Sequence, residues 1–582
     1  MRIVIVGGVA GGMSAAARAR RLDEQAEIIV LDRGEHVSFA NCGLPYYVGG
    51  EITDPAALLV QTPERLKASL NLDVRTRHDV IGLDTAAREL TVRTPDGTTV
   101  LSYDALILAP GGQAERPEIP GIDSARVRTL RTVDDALSLR AFAEAGARHA
   151  VVLGAGFIGL EAAEVLAGRG IATTLVQRGE QVLSPLDREH AQSVTAELRR
   201  LGIDVRTNTS AREILQGDDA DRVLLSDGTE ADADLIVLAA GVRPDTHVFE
   251  GAGIDTEGGA IVVDEHGRTS VDGVWAVGDA TVSVDPITGA RGVVALAGPA
   301  NRAGRLVADH ILRPASARPI PQALGTAIIR VGSATAAMTG ANRSSLREAG
   351  QSFRTLHLHP NQHAGYFPGA TQVHLSLHIR EGDGRILGAQ AVGSDGVDKR
   401  IDVLATAIRA GLTVTDLIDL DLAYAPPYGQ AKDPVNLAGM LGANVLDGTL
   451  VLWDAHDLDG VLRDALVLDV RTGAEVASGI LPGALHIPHT ELRGRIEEVR
   501  EAADGRPVRV MCASGVRSAI AHRVLVQNGF DSASLSGGML TLRAVLGDRA
   551  ADILVDPDPS DRSVPEDSRG DVVASAGGGR SR

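Results

Sequence analysis

Cysteine is almost absent from this chain, which has only Cys42 and Cys512 among its 582 residues. The two residues lie far apart in the sequence, and no secretion signal precedes the first apolar run. This scarcity argues against a disulfide framework and against a cysteine zinc site. Each thiol therefore needs an explanation of its own.

Long hydrophobic runs and an excess of positive charge are missing as well. No apolar run approaches the roughly 18 residues that a membrane span needs, and the chain starts "MRIVIVGG" without a charged leader. A net charge of −19 argues against a nucleic-acid partner, because phosphate backbones need clustered positive charge. We expect a soluble, cytoplasmic protein with no membrane partner, which captures any anionic ligand locally.

Aromatic residues make up only 3% of the chain, whereas glycine occurs 66 times. This balance suits tight turns and the packing of small aliphatic side chains on sheets. Short apolar runs ending at glycine recur through the first half, with alanine-rich segments between them, and this alternation predicts an α/β protein with buried parallel strands. The runs are "RIVIVGG", "AEIIVLDRG", "YDALILAPGG", "HAVVLGAG", "ATTLVQRGE", "ADLIVLAAG" and "GVWAVGDA".

The first strand is followed by the turn "GGVAGGMSAA", which resembles the dinucleotide-binding pattern G-x-G-x-x-G with Val9 in place of its middle glycine. The remaining small residues still form a turn at a helix N-terminus, where N–H groups favour a pyrophosphate. Asp32, at the end of the next strand, would accept the ribose hydroxyls. The glycines of this turn are Gly7, Gly8, Gly11 and Gly12.

A complete copy of the pattern, "GAGFIG", supplies Gly154, Gly156 and Gly159 between the strand "HAVVL" and a helix. Two such turns in strand–turn–helix context are a much stronger signal than one. Gln177 and then Arg178 stand where an acid would favour NADH over NADPH, so the choice of nicotinamide stays open.

A further strand, in "TSVDGVWAVGDA", ends at Gly278 and Asp279. A carboxylate at this strand end could hydrogen-bond the ribityl hydroxyls of a flavin. Two dinucleotide sites on one chain then indicate an electron path from NADH or NADPH to FAD.

These motifs together resemble the flavin-dependent pyridine nucleotide-disulfide oxidoreductases, in particular the coenzyme A disulfide reductase branch with a fused rhodanese domain. The resemblance covers about residues 1 to 548. Besides the turns above, it rests on "SFANCGLPYYVGG", "ALAGPANRAGR", "YFPGA" and "YAPPYGQAKDPVN", which occur in the expected order.

The resemblance implies two Rossmann-like domains, for FAD and NAD(P), an α+β dimerisation domain and a C-terminal rhodanese-like α/β domain. The implied limits are 1–112 plus 248–320 for FAD, 113–247 for NAD(P), 321–445 for dimerisation, 455–548 for rhodanese and 549–582 for a disordered tail.

The family resemblance gives Cys42 the role of a redox thiol that faces the flavin. With no local partner cysteine, its oxidised state must be a mixed disulfide, a persulfide or a sulfenic acid. In the coenzyme A branch that partner is coenzyme A, and Tyr366 and Tyr424 match tyrosines that reach the site from the other subunit of a homodimer. The resemblance also implies coenzyme A contacts by Arg18, Arg21, Ser38, Phe39 and Asn41, with Arg20 in the same basic cluster, and cofactor contacts by Arg33, Glu161 and Ala297.

From about residue 455 the chain resembles a rhodanese domain, with Cys512 opening the loop "CASGVRS" after the strand "VRVM". Backbone N–H groups that turn inward next to a helix N-terminus lower a thiol pKa and hold a persulfide, and Arg517 adds positive charge. Asp469 and Arg471 are expected to organise the neighbouring loop.

The histidines of "LHLHPNQHAGYFPG" could suggest a metal site, but alternating His357 and His359 are more typical of one face of a strand. We expect no metal in this protein.

The resulting hypothesis is an FAD-dependent oxidoreductase that uses NAD(P)H to reduce coenzyme A disulfide, coenzyme A persulfide or polysulfide through Cys42. The rhodanese domain would handle sulfane sulfur. Two alternatives stay open. One is a flavin NADH oxidase or peroxidase that cycles through a cysteine sulfenic acid, and the other is a non-catalytic redox sensor or sulfur carrier.

Overall fold

The computed structural model describes residues 1–556. They fall into two units, one formed by Met1–Phe353 with Arg385–Leu412, the other by Arg354–Gly384 with the chain from Thr413 onward. Among the described residues, no helix combines the length and the apolar character that a membrane crossing requires. The domain limits inferred from the sequence stay a prediction. Of the expected disordered tail, residues 557–582 lie outside the described residues, and Ala550–Ile553 form a short helix.

The first 114 residues begin with the predicted strand–turn–helix–strand unit. The helices of this segment are α1 (Ala10–Leu22), α2 (Leu44–Gly49) and α3 (Pro63–Leu70). Its strands are β1 (Arg2–Val6), β2 (Glu27–Leu31), β3 (Asp73–Arg75), β4 (Asp79–Asp84), β5 (Glu89–Thr94), β6 (Gly97–Ser102), β7 (Ala105–Leu108) and β8 (Gly112–Ala114).

The next segment repeats the same alternation. Its helices are α4 (Val133–Glu144), α5 (Phe157–Gly168) and α6 (Arg188–Arg200). Its strands are β9 (Val127–Arg128), β10 (His149–Leu153), β11 (Ala172–Val176), β12 (Asp204–Arg206), β13 (Ala211–Leu215), β14 (Asp221–Leu225), β15 (Glu230–Ala233), β16 (Leu235–Leu238) and β17 (Val242–Pro244).

Within residues 256–410, one strand (Val274–Ala276) joins the first sheet, and the last five strands form an antiparallel layer. The helices here are α7 (Ala297–Leu312), α8 (Arg343–Glu348) and α9 (Val397–Ala410). The strands are β18 (Thr256–Glu257), β19 (Ala260–Ile261), β20 (Val274–Ala276), β21 (Val282–Val284), β22 (Arg291–Val293), β23 (Ala327–Val331), β24 (Ala334–Gly340), β25 (Phe353–Leu358), β26 (Val373–Arg380) and β27 (Ile386–Gly393).

Two five-stranded sheets in the first unit carry the dinucleotide-binding turns, with strand orders β20-β7-β1-β2-β3 and β12-β11-β10-β16-β9. The strands within each sheet are parallel. All the short apolar runs predicted as buried parallel strands lie in these two sheets, so that prediction is confirmed. Their central strands are fully apolar because helices cover the sheet, and residues such as Val4 and Val151 have no exposed surface.

The later part of the second unit is a separate α/β layer, built on a parallel sheet with the order β28-β32-β31-β29-β30. Its strands are β28 (Leu452–Trp453), β29 (Leu466–Asp469), β30 (Leu485–His486), β31 (Val508–Met511) and β32 (Ser532–Leu535). The helices of this unit are α10 (Pro434–Leu446), α11 (Leu458–Asp464), α12 (Gly473–Val476), α13 (Ile496–Ala503), α14 (Val516–Gln527), α15 (Gly538–Leu546) and α16 (Ala550–Ile553).

Glycines bring α1 and α7 into close contact beside the first sheet. A Cβ atom at Gly304 would lie 2.0 Å from the carbonyl oxygen of Gly11, and one at Gly11 would lie 2.9 Å from Val277. The two helices can therefore approach this closely only with glycine at position 304, and glycine at position 11 leaves room for the Val277 side chain.

We expect Gly304→Ala to destabilise the first unit, because the added methyl must push two packed helices apart. Overpacking of this kind costs about 1–3 kcal/mol, and the melting temperature should fall. The matched control is Gly168→Ala at the end of α5, where a Cβ atom would meet nothing within 4 Å. Equal melting temperatures for the two variants would contradict this account of the helix contact.

Candidate active site

The first strand-to-helix turn has the geometry that a dinucleotide requires. Gly7 has a φ of +99°, and a Cβ atom there would lie 2.0 Å from the carbonyl oxygen of Ala109. A Cβ atom at Gly12 would lie 1.9 Å from the carbonyl oxygen of Gly7, so α1 can start directly above the strand. Gly11 instead faces the Val277 side chain, and this contact by itself accounts for a glycine there.

Asp32 lies at the end of β2, beside this turn. Its carboxylate accepts hydrogen bonds from the backbone N–H groups of Gly8 and Gly34, both at 2.8 Å. Burial raises the pKa of the Asp32 carboxyl, and it outweighs these two hydrogen bonds, which lower that pKa. The residues present therefore fit the adenosine half of FAD, with a partly buried acceptor at the ribose position.

Asp279 lies in a short turn that begins at Gly278, whose φ is +82°. Burial raises the pKa of the Asp279 carboxyl, and Arg131 opposes this shift. Burial also lowers the pKa of Arg131, while Asp279 stabilises its charged form. Arg131 lies just before the N-cap of α4 and belongs to none of the motifs of the sequence analysis. Ala297 is the first residue of α7, and Arg33 forms an ion pair with Asp245 at 2.5 Å.

The second turn repeats the geometry of the first. Gly154 has a φ of +107°, and a Cβ atom at Gly159 would lie 1.9 Å from its carbonyl oxygen. Gly156, the N-cap of α5, has open space where a Cβ atom would point. The carboxamide Oε1 of Gln177 accepts a hydrogen bond from the N–H of Ala155 at 3.1 Å. This turn fits a nicotinamide dinucleotide.

Cys42 lies in a single 3₁₀ turn, Asn41–Gly43, directly before α2, and it is exposed. Although part of the residue reaches solvent, desolvation by its surroundings raises the pKa of the thiol, and the negative charge of Glu161 raises it further. Burial, assisted by Glu164, raises the pKa of Glu161 itself to about 7. Glu161 projects from α5, so the helix that follows the second dinucleotide-binding turn places a titratable group near the thiol.

The segment before Cys42 is held against the first dinucleotide-binding turn. Ser38 has a φ of +47°, an uncommon conformation for a residue with a side chain, and its N–H donates to the carbonyl oxygen of Gly8 at 2.8 Å. Phe39 packs on the hydrophobic core, whereas Asn41 is exposed. Backbone strain at a position so close to a thiol is typical of functional loops.

The arginines of α1 have different surroundings. Arg18 forms an ion pair with Asp309 at 2.6 Å, and Arg21 is exposed. Arg20 is buried and donates to the carbonyl oxygens of four residues, which satisfies its guanidinium and gives it a structural role. The acceptors are Asp23, Glu24, Leu70 and Asn71. Only Arg18 and Arg21 of this cluster keep a predicted ligand role.

Tyr366 and Tyr424 come from distant parts of the second unit, and their hydroxyl oxygens lie 3.1 Å apart. The loops that carry them are joined by a hydrogen bond from the N–H of Ala364 to the carbonyl oxygen of Gly429. Both side chains are exposed, Tyr366 to 77% and Tyr424 to 48%. An exposed aromatic pair with fixed geometry is a surface suited to a partner.

Cys512 follows β31 and is fully buried. Its Sγ accepts from the N–H of Gly515 at 3.2 Å and from the hydroxyl of Ser518 at 3.4 Å. Gly515 has a φ of +94° as the N-cap of α14, and this conformation turns its N–H toward the sulfur. Donors aimed at the sulfur in this way can stabilise negative charge on it, and the predicted persulfide role of the loop stays a prediction.

The loop is braced by two arginine–carboxylate pairs. Arg471 and Asp469 are buried together with a shortest distance of 2.6 Å, so they organise the neighbouring loop. Arg517 binds both carboxylate oxygens of Glu475, at 2.7 and 2.5 Å, and this pair lowers the pKa of Glu475 to about 2. The sequence analysis missed Glu475, although it also completes a capping box with Thr472, whose S/T-x-x-E spacing is readable in the sequence.

His357 lies in β25 as expected, whereas His359 follows the end of that strand. Within the second unit, the N–H of His357 donates to the hydroxyl of Ser536 at 3.1 Å, and His359 Nε2 lies 2.8 Å from the hydroxyl of Thr541. These histidines therefore pack on the C-terminal α/β layer.

Two dinucleotide-binding folds and an unpaired exposed cysteine define a dinucleotide-dependent thiol oxidoreductase, here followed by a domain with a buried loop cysteine. The chain belongs to the pyridine nucleotide-disulphide oxidoreductase family, whose model matches residues 1–304. The dimerisation domain of that family matches residues 327–434, and a rhodanese-like domain matches residues 453–543. Members of this family use FAD and NAD(P)H, so the predicted cofactors and the predicted fold class are confirmed.

Several proteins are similar over most of this chain. A coenzyme A disulfide reductase of Staphylococcus haemolyticus is 34% identical over 442 residues, 75% of this chain and 98% of that protein. The crystal structure of reduced Bacillus anthracis CoADR-RHD has 40% identity and a TM-score of 0.92, covering 95% of this chain and 99% of that chain. An NAD-dependent persulfide reductase from A. fulgidus has 37% identity and a TM-score of 0.87, covering 93% of this chain and 100% of that chain.

We expect Glu161→Gln to lower the pKa of the Cys42 thiol, because it removes a negative charge that disfavours the thiolate. Iodoacetamide should then alkylate Cys42 faster at pH 7.5 in a Cys512→Ser background. Glu164→Gln should act in the opposite direction, since loss of its charge lowers the pKa of Glu161 and leaves more of that carboxyl ionised. A rate that is the same in all three proteins would show that Glu161 does not act on Cys42.

Proposed function

We propose that this protein is an FAD-dependent NAD(P)H oxidoreductase that reduces coenzyme A disulfide or coenzyme A persulfide at Cys42. The observation that carries the proposal is the isolation of this thiol. Cys42 is exposed, whereas the one other cysteine of the chain is fully buried within its own loop. An exposed redox thiol without a second cysteine takes its sulfur partner from solution.

In the first step the Cys42 thiolate attacks one sulfur of coenzyme A disulfide. A bond between Sγ and that sulfur forms, the original S–S bond breaks, and one coenzyme A leaves as a thiolate that takes up a proton. With the persulfide, attack on the inner sulfur releases hydrosulfide, and attack on the outer sulfur releases coenzyme A. FAD, when bound, would supply the two electrons of NAD(P)H that cleave the new S–S bond, which restores the Cys42 thiolate and releases the bound sulfur as coenzyme A thiolate or, from a Cys42 persulfide, as hydrosulfide.

The chain's own residues prepare this step. The raised pKa of Cys42 keeps the resting thiol largely protonated, so a base must take its proton as the substrate arrives. Glu161, with a pKa of about 7, is suited to accept and return a proton near neutral pH. Arg18 and Arg21 on α1 supply local positive charge for the phosphates of coenzyme A, and Ser38, Phe39 and Asn41 border the thiol.

We further propose a homodimer in which Tyr366 and Tyr424 complete the Cys42 site of the other subunit. The family's dimerisation domain is present, and the tyrosine pair is exposed and held by its own hydrogen bond. A tyrosine hydroxyl that receives a hydrogen bond from its neighbour can donate its proton to the leaving thiolate.

Cys512 would handle sulfane sulfur. Its thiolate attacks the outer sulfur of a persulfide, which transfers that sulfur and releases the donor thiolate. The donors from Gly515 and Ser518 then stabilise the negative charge on the resulting cysteine persulfide.

The decisive experiment is anaerobic NADH and NADPH oxidation by the FAD-loaded protein, with coenzyme A disulfide and coenzyme A persulfide supplied in parallel. Turnover with either compound supports the proposal, and released sulfide identifies the persulfide as a substrate. Turnover with oxygen or peroxide alone would favour the oxidase alternative, and no turnover with any of them would favour the sensor.

We expect single substitutions of the two cysteines to abolish two different activities. Cys42→Ser should reduce coenzyme A disulfide turnover by at least about a hundredfold, because the covalent intermediate cannot form. Cys512→Ser should leave this turnover unchanged and abolish thiosulfate:cyanide or persulfide:cyanide sulfur transfer. Loss of both activities in either single variant, with flavin content and melting temperature preserved, would contradict this assignment of one activity to each cysteine.

Mixed dimers test the shared site. Subunits with Cys42→Ser and subunits with Tyr366→Phe and Tyr424→Phe carry different tags, and tandem affinity purification isolates the hybrid. One of its two sites is intact if the tyrosines act across the interface, so the hybrid should have about half of wild-type activity. A hybrid as inactive as the two parent variants would place the tyrosines in the same subunit's site, and full activity of the Tyr366→Phe, Tyr424→Phe parent would place them outside any site.

A further inference from the structure

The loop after β11 is a structural copy of the loop after β2. In each loop, the N–H of the first residue donates to an arginine carbonyl oxygen. The carbonyl oxygens of the first and third residues then accept from N–H groups of one turn that follows later in the chain. For Asp32–Gly34 the bonds are Asp32 N to Arg75 O, His78 N to Asp32 O and Arg77 N to Gly34 O. For Gln177–Gly179 they are Gln177 N to Arg206 O, Thr209 N to Gln177 O and Asn208 N to Gly179 O.

The two copies differ in the group that they present at the ribose position. Both carboxylate oxygens of Asp32 accept backbone hydrogen bonds, and the group offers only acceptors and a negative charge. Gln177 uses its Oε1 in the equivalent bond to Ala155, which leaves its Nε2 as a donor. Nε2 lies 3.1 Å from the position that a Cβ atom of Gly179 would occupy, so it points along the loop.

The second residue of both loops is an arginine, and the two arginines have different surroundings. Arg33 forms an ion pair with Asp245. Arg178 is exposed, and across residues 1–556 no hydrogen bond or ion pair engages its guanidinium. In a chain with a net charge of −19, this is an uncompensated cation beside an amide donor.

We propose, on the basis of the function proposed above, that the nicotinamide substrate is NADPH and that Gln177 and Arg178 bind its 2′-phosphate. An acid at the first position would bind the ribose diol of NADH and repel a 2′-phosphate, whereas an amide N–H and a guanidinium both donate to phosphate oxygens. The same chain keeps the acid in the loop assigned to FAD, whose adenosine has no 2′-phosphate. This chain thereby differs from the A. fulgidus relative, which is named as NAD-dependent.

Binding of 2′,5′-ADP and 5′-AMP to the FAD-loaded protein tests the proposal without any catalytic turnover. By calorimetry at low salt we expect wild type to bind 2′,5′-ADP at least about tenfold more tightly than 5′-AMP, as charge-assisted bonds to one phosphate allow. Arg178→Ala should remove this difference by weakening 2′,5′-ADP binding. Gln177→Asp should remove it as well, both by repelling the 2′-phosphate and by strengthening 5′-AMP binding, because the new carboxylate accepts hydrogen bonds from the ribose diol. The matched control is Arg212→Ala on β13, another exposed arginine of the same domain.

Kinetics supply the second readout, the ratio of kcat/KM for NADPH to that for NADH with coenzyme A disulfide. It should exceed one in wild type and in Arg212→Ala, and fall at least about tenfold in Arg178→Ala. Equal affinity of wild type for the two nucleotides, or an unchanged preference in Arg178→Ala, would overturn the proposal. Selective 2′,5′-ADP binding without turnover of any sulfur substrate would leave the phosphate site standing and refute the proposed function alone.

Discussion

Both dinucleotide-binding units depend on one close contact, in which the third glycine of each turn touches the carbonyl oxygen of the first. A Cβ atom at Gly12 or at Gly159 would lie 1.9 Å from that oxygen. The contact starts each helix directly at the end of its strand and aims the helix N-terminus at the pyrophosphate position. At the turn of residues 154–159 it also fixes the direction of α5, and Glu161, two residues after Gly159, acts on Cys42 as a consequence.

The features that follow from local sequence were predictable. Buried parallel strands have no polar face and need apolar runs, and turns with a positive φ need glycine, so β1, β10 and the turns at Gly7 and Gly154 could be identified from residue type alone. The loop around Cys512 was predictable for a similar reason, because its donors, the Gly515 N–H and the Ser518 hydroxyl, are close to Cys512 in sequence.

Features that depend on contacts between distant residues were not predictable. Arg20 lies beside Arg18 and Arg21 in the sequence, but its face of the helix points inward, where backbone carbonyls satisfy it. Arg517 was expected to add positive charge at Cys512, and the pKa of Arg517 is indeed raised by Glu475 first and by Cys512 as well. The bidentate pair of Arg517 with Glu475, 42 residues away, could not be predicted. The influence of Glu161 on Cys42 likewise arises only when the two sheets are assembled.

An acidic chain that binds phosphate-bearing ligands must control where its positive charge is available. Arg33 is compensated by Asp245, and Arg18 by Asp309, whereas Arg178 has no such partner among the described residues. An arginine that already forms an ion pair binds a further anion only weakly, because that ion pair must be broken or must share its N–H donors. An exposed arginine without an ion pair keeps all its N–H donors for a ligand. Arg33 and Arg18 are therefore suited to positioning a ligand that other groups already bind. Arg178 is suited to distinguishing the two nucleotides, because its free donors can bind the one additional phosphate of NADPH.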